Sequence, residues 1–534
     1  MSACHTSPGD GGAATRSHPL DPVTATEITI AVAAARADGR LGARTRFWGA
    51  TLDEAYARRV VAGEATGVRL GLVAMDYSGA AAWEIDVRID GDKGECTGWR
   101  GLDPRRPGIT SDEARAAAQA CRDSPLFRAA LARRGIHDVS LVMIDAESMG
   151  GFEPERYRDR RVTWGTVWHR TTVADNGYAR PVQGVVPIID MHTMEVLEVE
   201  DHGVVPVSAE AGPLATGALG PDRAGLEPLD VVQPQGPSFT VDGRRVAWQG
   251  WTFRVGFTHR EGLVLYDLEF LGRSVLKRAA CNEMYVPYLD PNSTQYRKNF
   301  FDWGEYGAGP LTNSLALGCD CLGVIHYFDG VHLGGDGDPV TIQNAICLHE
   351  EDAGILWKHN DLRRGVSEVR RSRRLIISNF QTVANYDYGF YWSLHQDGRI
   401  ELEVKLTGIL SASGIAEGDE APYGRPGSVM ARRAPFIHQH LWATPYAPDE
   451  RFVGGQYPNH AEPGADGVHV WQRQRRSIDG VPLVLWPILG VHHLPRPEQW
   501  PVMPVEAIHL VLEPDGFFDR NPALDIPDPA ARCC

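Results

Sequence analysis

The stretch Ile400-Glu-Leu-Glu-Val-Lys-Leu406 decides the fold class of this chain. Apolar and charged side chains alternate in it with a period of two, which is typical of a β-strand with one buried and one solvated face. Short alternating segments of this kind, separated by Gly and Asp turns, continue from about residue 226 to the end of the sequence. We therefore predict that residues 226–534 form a large antiparallel β-sandwich.

Helix signals are concentrated before this region. The segment from Thr24 to Glu27 has the spacing of a capping box and opens an Ala-rich run. A second Ala-rich helix opens at residues 111–113 and is interrupted at Pro125. Strand-like segments follow each helical run, at 68–77, 81–89, 139–144, 161–173 and 182–199.

The repeated order of elements predicts two related modules, so the chain belongs to the α+β class. Two small N-terminal α/β modules are followed by the large antiparallel β-sandwich. The predicted units are a disordered tail (1–17), a first small α/β domain (18–102), a second (110–206) and the β-sandwich catalytic domain (226–534).

The charge of the chain restricts its partners. A formal net charge of −16 repels phosphate backbones and anionic lipid, which argues against nucleic acid or a membrane surface as partner. Residues 1–19 are polar and contain no apolar signal core, so we expect a cytoplasmic protein that acts on a small molecule. The basic run at residues 370–374 fits a solvated or ion-paired face better than an anion site.

The nine cysteines form no repeating framework and are odd in number, which favours reduced thiols. Cys319 and Cys321 lack the second cysteine pair that a zinc knuckle would need.

Histidines indicate a metal site. His438 and His440 are two residues apart, and in a strand their imidazoles would point to the same face. His492 and His493 offer a third ligand. Imidazole suits copper, zinc, iron or nickel, so the spacing does not name the metal, and structural histidines are the alternative interpretation.

An aromatic run at residues 382–392 has Tyr386 at its centre, between Asn385 and Asp387. Composition alone predicts a core strand with buried rings. The run also resembles the cofactor motif of copper amine oxidases. That resemblance implies that Tyr386 is the precursor of trihydroxyphenylalanine quinone (topaquinone), with Asn385 as part of the site.

Two neighbouring segments are similar to other parts of the same family. Residues 301–307 resemble the segment that carries the catalytic aspartate, which implies that Asp302 is the base. Residues 283–288 resemble the stretch whose last tyrosine is hydrogen-bonded to the quinone, which implies this role for Tyr288. Phe300 occupies the place where many members have a tyrosine gate.

The resemblance extends over most of the chain. The other matching segments are 18–22, 199–206, 344–352, 357–359 and 492–501. The last of these resembles the segment with the third copper ligand, so the implied copper ligands are His438, His440 and His493. The resemblance also implies a disulfide between Cys321 and Cys347, against the compositional expectation, and a homodimer.

One departure from the family pattern concerns the histidine pair. In most members a long stretch separates the His-x-His motif from a segment similar to residues 440–446, whereas here the two are fused. Strands, the aspartates of a peripheral metal site and part of a dimer arm are missing, and the fused segment in the family normally has no histidine at the position of His438.

The resemblance implies copper- and quinone-dependent oxidation of a primary amine by molecular oxygen, with release of aldehyde, ammonia and hydrogen peroxide. Two alternatives remain at this point. One is a shortened homologue in specialised metabolism with metal-dependent but quinone-independent chemistry, and the other is a non-catalytic binding protein.

Overall fold

The structure, a computed structural model, describes residues 16–215, 217–218, 220–288, 290–415 and 432–528. Strands outnumber helices among these residues, so the prediction of a β-rich chain is confirmed. The predicted disordered tail, 1–17, lies outside the described residues except for Arg16 and Ser17. These two are fixed in place, because Arg16 Nε donates to Glu27 Oε1 at 2.7 Å and Ser17 Oγ donates to Asp21 Oδ2 at 2.8 Å.

The first sheet is antiparallel, with the strand order β1-β2-β3-β4. Its elements are α1 (Ala25–Ala37), β1 (Thr45–Leu52), α2 (Glu54–Val61), β2 (Val68–Asp76), β3 (Ala81–Asp90) and β4 (Lys93–Leu102). The predicted capping box begins α1, since the Thr24 side chain accepts from Glu27 N and the Glu27 carboxylate accepts from Thr24 N. Strands β1 and β4 were not predicted, because neither has a regular alternation of apolar and polar residues.

The second sheet is also antiparallel, with the order β5-β6-β7-β8. Its elements are α3 (Ser111–Asp123), α4 (Pro125–Ala132), β5 (Val142–Ser148), β6 (Val162–His169), β7 (Val185–Asp190) and β8 (Glu195–Asp201). The predicted interruption at Pro125 is the junction of α3 and α4, where Ser124 caps the second helix. The single strand predicted at 182–199 is a hairpin, β7 paired with β8.

Two antiparallel sheets form the C-terminal part, in the orders β13-β12-β11-β10-β9 and β16-β17-β18-β19-β20-β23. Their strands are β9 (Thr240–Asp242), β10 (Arg245–Trp248), β11 (Trp251–Thr258), β12 (Gly262–Phe270), β13 (Arg273–Ala280), β16 (His326–Leu333), β17 (Pro339–Asp361), β18 (Val366–Val383), β19 (Tyr386–His395), β20 (Ile400–Gly408) and β23 (Met503–Leu512). Side chains of both sheets share one apolar core, for example Trp251 and Leu265 with Phe390 and Leu402. Burial of each such side chain is worth about 1.5–3 kcal/mol.

Strand β20 shows the alternation from which the fold was predicted. Ile400, Leu402 and Val404 are buried, whereas the charged residues between them are more exposed. The basic run of β18 is an ion-paired face rather than an anion site: Arg374 Nη2 lies 2.7 Å from Glu351 Oε2 on β17. Other pairs along this face join Arg371 to Asp352, Arg373 to Glu350 and Arg370 to Glu368.

Short elements outside the large sheets carry several of the predicted functional residues. They are β14 (Tyr285–Pro287), β15 (Asn299–Phe301), α5 (Asp302–Glu305), β21 (Leu441–Pro445), α6 (Val468–Trp471) and β22 (Leu483–Pro487). Strands β14 and β15 pair with each other, as do β21 and β22. No helix within the described part of the chain is both long and apolar enough to cross a membrane.

Candidate active site

Tyr386 is the first residue of β19, directly after a two-residue turn. Val383 and Tyr386 pair across the hairpin, and Ala384 in the turn has φ +51°. Asn385 Nδ2 donates to Ile409 O at 2.6 Å, and Ile409 N donates to Asn385 O at 2.7 Å. The aromatic run is therefore two strands joined by a turn, not the single core strand that composition predicted. The turn is fixed to the end of β20.

The Tyr386 ring is half-buried, and its hydroxyl is hydrogen-bonded to the Tyr288 side chain and to the backbone of Ser411. Burial raises the pKa of Tyr386. The ring stacks on Tyr388, with a centroid distance of 6.3 Å and an angle of 25°. The backbone of Gly408 lies close to the backbone of Tyr386. Gly408 has φ +103°, and a Cβ on it would lie 2.8 Å from Tyr386 Cα. Only glycine meets both conditions at this position.

Asp302 begins α5, and its N–H donates to Met284 O at 2.8 Å. Its side chain is buried, with 2% exposure. Burial raises the pKa of Asp302 well above its usual range, and the neighbouring carboxyl groups of Glu283, Glu305 and Glu147 raise it further. Asp302 therefore binds a proton more tightly than an exposed aspartate, as a carbon-acid base requires.

Asp302 and Tyr386 share two neighbours, Tyr288 and Tyr388. Burial is the main reason that the pKa values of Tyr288 and Tyr388 are raised, and the nearby charges of Asp302 and Tyr386 add to it in both cases. The ring centroids of Tyr288 and Tyr386 are 6.4 Å apart. The structure thus brings three of the predicted catalytic side chains into one cluster, while Asn385 holds the turn beneath Tyr386.

A buried ion pair supports the turn that carries Asp302. Arg260 Nη2 lies 2.7 Å from Glu283 Oε2, with the two side chains 4% and 0% exposed. Glu283 Oε1 also accepts hydrogen bonds from the backbone N–H groups of Trp303 and Gly304, both at 3.2 Å. Sequence reasoning missed this pair. The sequence feature that could have indicated the pair is the glutamate in the segment 283–288.

A second buried ion pair, between Arg433 and Glu305, holds the other end of the same turn. Glu305 Oε2 accepts from Phe301 N at 3.0 Å, and Ser148 Oγ donates to Glu305 Oε1 at 2.8 Å. Ser148 ends β5, so Glu305 connects the second sheet to the site. Arg433 is 128 residues from Glu305, and no local pattern of the sequence indicates the contact.

Lys298 is a further buried charge that the sequence did not indicate. Its Nζ donates to Ser411 Oγ at 2.8 Å, lies 3.7 Å from Glu147 Oε1 and lies 5.2 Å from the centre of the Tyr288 ring. Burial raises the pKa of Glu147 to about 7. Lys298 therefore packs beside the tyrosines that hold Tyr386.

Tyr386 and Tyr288 also line a cavity of about 3070 Å³, together with His440, His492 and His493. His438 ends the 3-10 turn Pro435–His438, and β21 begins only after His440. The prediction that His438 and His440 share one face of a strand is therefore wrong. Proline at the start of the turn and its tight winding replace the extended geometry that the spacing assumed.

His493 is held on one side, since its Nε2 lies 3.0 Å from the buried amide oxygen Oε1 of Gln499. Residues 490–496 form no strand, and both His492 and His493 line the cavity. The two neighbouring histidines therefore do not alternate between opposite faces, as they would in a strand.

Cys321 and Cys347 are buried next to each other, and their thiols are hydrogen-bonded. Both are free thiols in the structure. The hydrogen bond from Cys347 lowers the pKa of Cys321 to about 7. The contact is what the proposed disulfide requires, and the disulfide itself stays a prediction.

We expect protein prepared in air to link Cys321 to Cys347, because a neighbouring thiolate and thiol oxidise readily. Closing the loop between them should stabilise the fold by about 3–4 kcal/mol. Peptide mapping without reductant should find the linked peptides, and Cys347→Ser should lower the urea midpoint, whereas Cys96→Ser should not. Free thiols at both positions in aerated protein would contradict this expectation.

A buried carboxyl group of raised pKa, which shares neighbours with a tyrosine that lines a cavity, is chemically suited to removing a proton from a small organic substrate. Comparison with known proteins specifies the class. The family model described as "Copper amine oxidase, enzyme domain" matches residues 240–426 and 424–532. The model "Copper amine oxidase, N3 domain" matches residues 112–213.

Individual proteins agree with these family models. The chain is 36% identical to "Primary amine oxidase" of Arthrobacter sp. (strain P1) over 619 aligned positions, covering 96% of this chain and 95% of the relative. It is 34% identical to "Diamine oxidase [copper-containing] 1, peroxisomal" of Nicotiana tabacum, covering 96% of the chain and 85% of the relative. The crystal structure of a copper-containing benzylamine oxidase from Hansenula polymorpha superposes with a TM-score of 0.84 at 25% identity, covering 96% of this chain and all of that one.

The chain therefore belongs to the copper amine oxidase family. It is an amine-oxidising enzyme, and neither alternative, a quinone-independent metal enzyme or a non-catalytic binding protein, is favoured. A cytoplasmic location stays a prediction, since the tobacco relative is named as peroxisomal.

The family implies copper, and the available donors can be compared with that metal. Imidazole nitrogens bind such ions at about 2 Å, so three of them must converge on one point. Within the described ranges, no three His, Cys, Asp or Glu side chains are grouped so that they could hold a metal ion. His438, His440 and His493 therefore do not fit a copper ion in this structure.

Proposed function

We propose that primary amines are oxidised to aldehydes at the buried site between Asp302 and Tyr386, with molecular oxygen and water as the other substrates and with release of ammonia and hydrogen peroxide. The observation that carries this proposal is the position of Asp302. It is a buried carboxyl group of raised pKa, in the same cluster of tyrosines as Tyr386.

Asp302 acts as the base in this proposal. The proton on the carbon next to an amine nitrogen is weakly acidic, and a base of raised pKa accepts it more readily than an ordinary aspartate does. Burial also keeps competing water away from the carboxylate. Asp302 must be ionised when the amine arrives, and it holds the proton on a carboxyl oxygen afterwards.

Tyr386 is the proposed precursor of topaquinone, and its surroundings fit a modified ring. The hydroxyl is held by Tyr288 and by the Ser411 backbone, one face of the ring is stacked on Tyr388, and the adjoining cavity leaves space beside it. A quinone at this position supplies a carbonyl that reacts with the amine nitrogen and accepts the electron pair. The task of Tyr288 and Tyr388 is to orient this ring.

Phe300 is the proposed cover of the site. It is 8% exposed, and its ring lies 6.2 Å from Tyr288 and 6.4 Å from Tyr306, centre to centre. Its apolar ring excludes water next to the site without offering a hydrogen bond to the amine. We also propose the division into domains at 18–102, 110–206 and 226–534, and a homodimer as the assembled form.

The chemistry of Tyr386 can be tested directly. Protein supplied with copper and oxygen should gain visible absorption and react with phenylhydrazine, and the peptide that contains residue 386 should show a changed mass. These changes are expected because an oxidised tyrosine ring absorbs visible light and carries a reactive carbonyl. Unmodified tyrosine at 386 after full copper loading would exclude the proposed cofactor.

A matched pair of variants tests whether the absorption and the hydrazine adduct arise from Tyr386 or from another tyrosine. Tyr386→Phe should lose both the absorption and the hydrazine adduct, because phenylalanine lacks the hydroxyl from which oxidation starts. Tyr56→Phe, on α2, should retain both. An adduct that persists in Tyr386→Phe would move the cofactor to another residue.

A further inference from the structure

The three predicted copper ligands lie in three different local structures. His438 ends a 3-10 turn, His440 lies between that turn and β21, and His493 lies in the irregular segment after β22. His440 and His493 line the large cavity, whereas His438 does not. Local geometry therefore sets His438 apart from the other two histidines.

The histidines also lie in exposed and open surroundings. His438 and His440 are exposed. The cavity of about 3070 Å³ beside them is several times larger than the roughly 300–1,000 Å³ of an ordinary small-molecule site. A tight imidazole site needs ligands that are fixed by packing and by hydrogen bonds to the second ring nitrogen. Of the three histidines, His493 has such a bond to the Gln499 side chain.

The family comparison shows an interruption near these histidines. The enzyme-domain model matches the chain in two pieces that meet at residues 424–426, twelve residues before His438. The alignment with the Arthrobacter protein runs over 619 positions, although this chain has 534 residues. The relative therefore contains segments that this chain lacks, and the interruption in the family match lies on the N-terminal side of the histidine pair.

From these observations we infer that His438, His440 and His493 do not form the copper site of this protein. The pair His438 and His440 lies near the start of the second matched part of the family domain, and its His-x-His spacing is incidental there. The side chains proposed to act on the amine, Asp302, Tyr288 and Tyr386, are packed together in one cluster. The metal side is not built by these three histidines.

The test measures copper directly and does not depend on turnover. His438→Ala, His440→Ala and His493→Ala, and the parent protein, are loaded with copper, dialysed and analysed for copper per chain. We expect the same copper content in all four, because no variant removes a ligand. The exposure of His438 and His440 leaves the fold intact, and circular dichroism checks this for His493→Ala.

Loss of stoichiometric copper in any one of the three folded variants would overturn the inference. Equal copper in all four preparations, at whatever level the parent shows, supports it. Peptide mapping of residue 386 is read separately from the copper content. An unmodified Tyr386 counts against the proposed cofactor and leaves the inference about the histidines untouched, so the two can fail independently.

Discussion

Replacing Asp302 by Asn is expected to slow amine turnover at least ~100-fold, because a positioned general base contributes about 10²–10⁴ to the rate. Asparagine has the size of aspartate but cannot accept the proton from carbon. The variant should still bind amine and still modify Tyr386. The measurement is steady-state turnover of a primary amine that the parent protein oxidises, with hydrazine labelling as the count of modified sites.

The pH dependence of the parent protein should report the same residue. Burial and three neighbouring carboxyl groups raise the pKa of Asp302, so a larger fraction of it is protonated at a given pH than for an exposed aspartate. Since only the ionised form is a base, turnover should rise as pH increases through this raised pKa. The rise should be absent in Asp302→Asn.

Asp112→Asn is the matched control, because Asp112 is a partly exposed carboxylate on α3 that pairs with Arg115. It should turn over at the parent rate. Near-normal turnover by Asp302→Asn would reassign the base to another of the buried carboxyl groups around the turn.

Sequence patterns predicted the fold where chemistry repeats locally. The alternation of residues 400–406, the capping box at 24–27 and the Ala-rich run that opens at 111–113 indicated β20, α1 and α3, because strand faces and helix ends are determined by residues close in sequence. Strands β1 and β4 were not predicted from the sequence, because pairing with their neighbours in the sheet, and not their own residue patterns, holds them extended. The 3-10 turn at residues 435–438 was also missed, although Pro435 is a local signal for a turn there.

Some residues of the candidate site were predicted from the sequence and others were not. Asp302, Tyr288 and Tyr386 were predicted from resemblance, and the structure places them in one cluster. The charges that support them were not predicted, because the partners of Glu283 and Glu305 are distant in sequence. A buried arginine and an exposed one look alike in a sequence, and only tertiary packing distinguishes them.

Arg260 gives the largest stability prediction. Its guanidinium is 4% exposed, pairs with Glu283 at 2.7 Å, donates to Gln456 O at 2.9 Å and lies 4.4 Å from the centre of the Phe452 ring. Arg260→Met keeps much of the apolar stem but leaves the Glu283 carboxylate buried without a partner. We expect a loss of about 3–5 kcal/mol in the free energy of unfolding, measured by urea titration.

The effect should depend on pH with a defined sign. Burial raises the pKa of Glu283, and Arg260 is the main opposing influence, so the variant carboxyl group should bind its proton still more tightly. A carboxyl group whose pKa is raised in the folded state favours folding at low pH, and this advantage is lost as pH rises above the pKa of the unfolded chain, about 4.3. The destabilisation of Arg260→Met should therefore be smaller at pH 5 than at pH 8.

Two controls separate the buried charge from a general loss of arginine. Arg115→Met removes an exposed pair with Asp112 and should cost less than about 1 kcal/mol. Adding Glu283→Gln to Arg260→Met should recover part of the lost stability, because no unpaired buried charge remains. The double variant should nevertheless turn over amine slowly, since a neutral amide holds the N–H groups of Trp303 and Gly304 less firmly and the turn that carries Asp302 loosens. Parent-like stability of Arg260→Met at pH 8 would show that Glu283 is neutral in the folded protein and that the turn is held by backbone contacts alone.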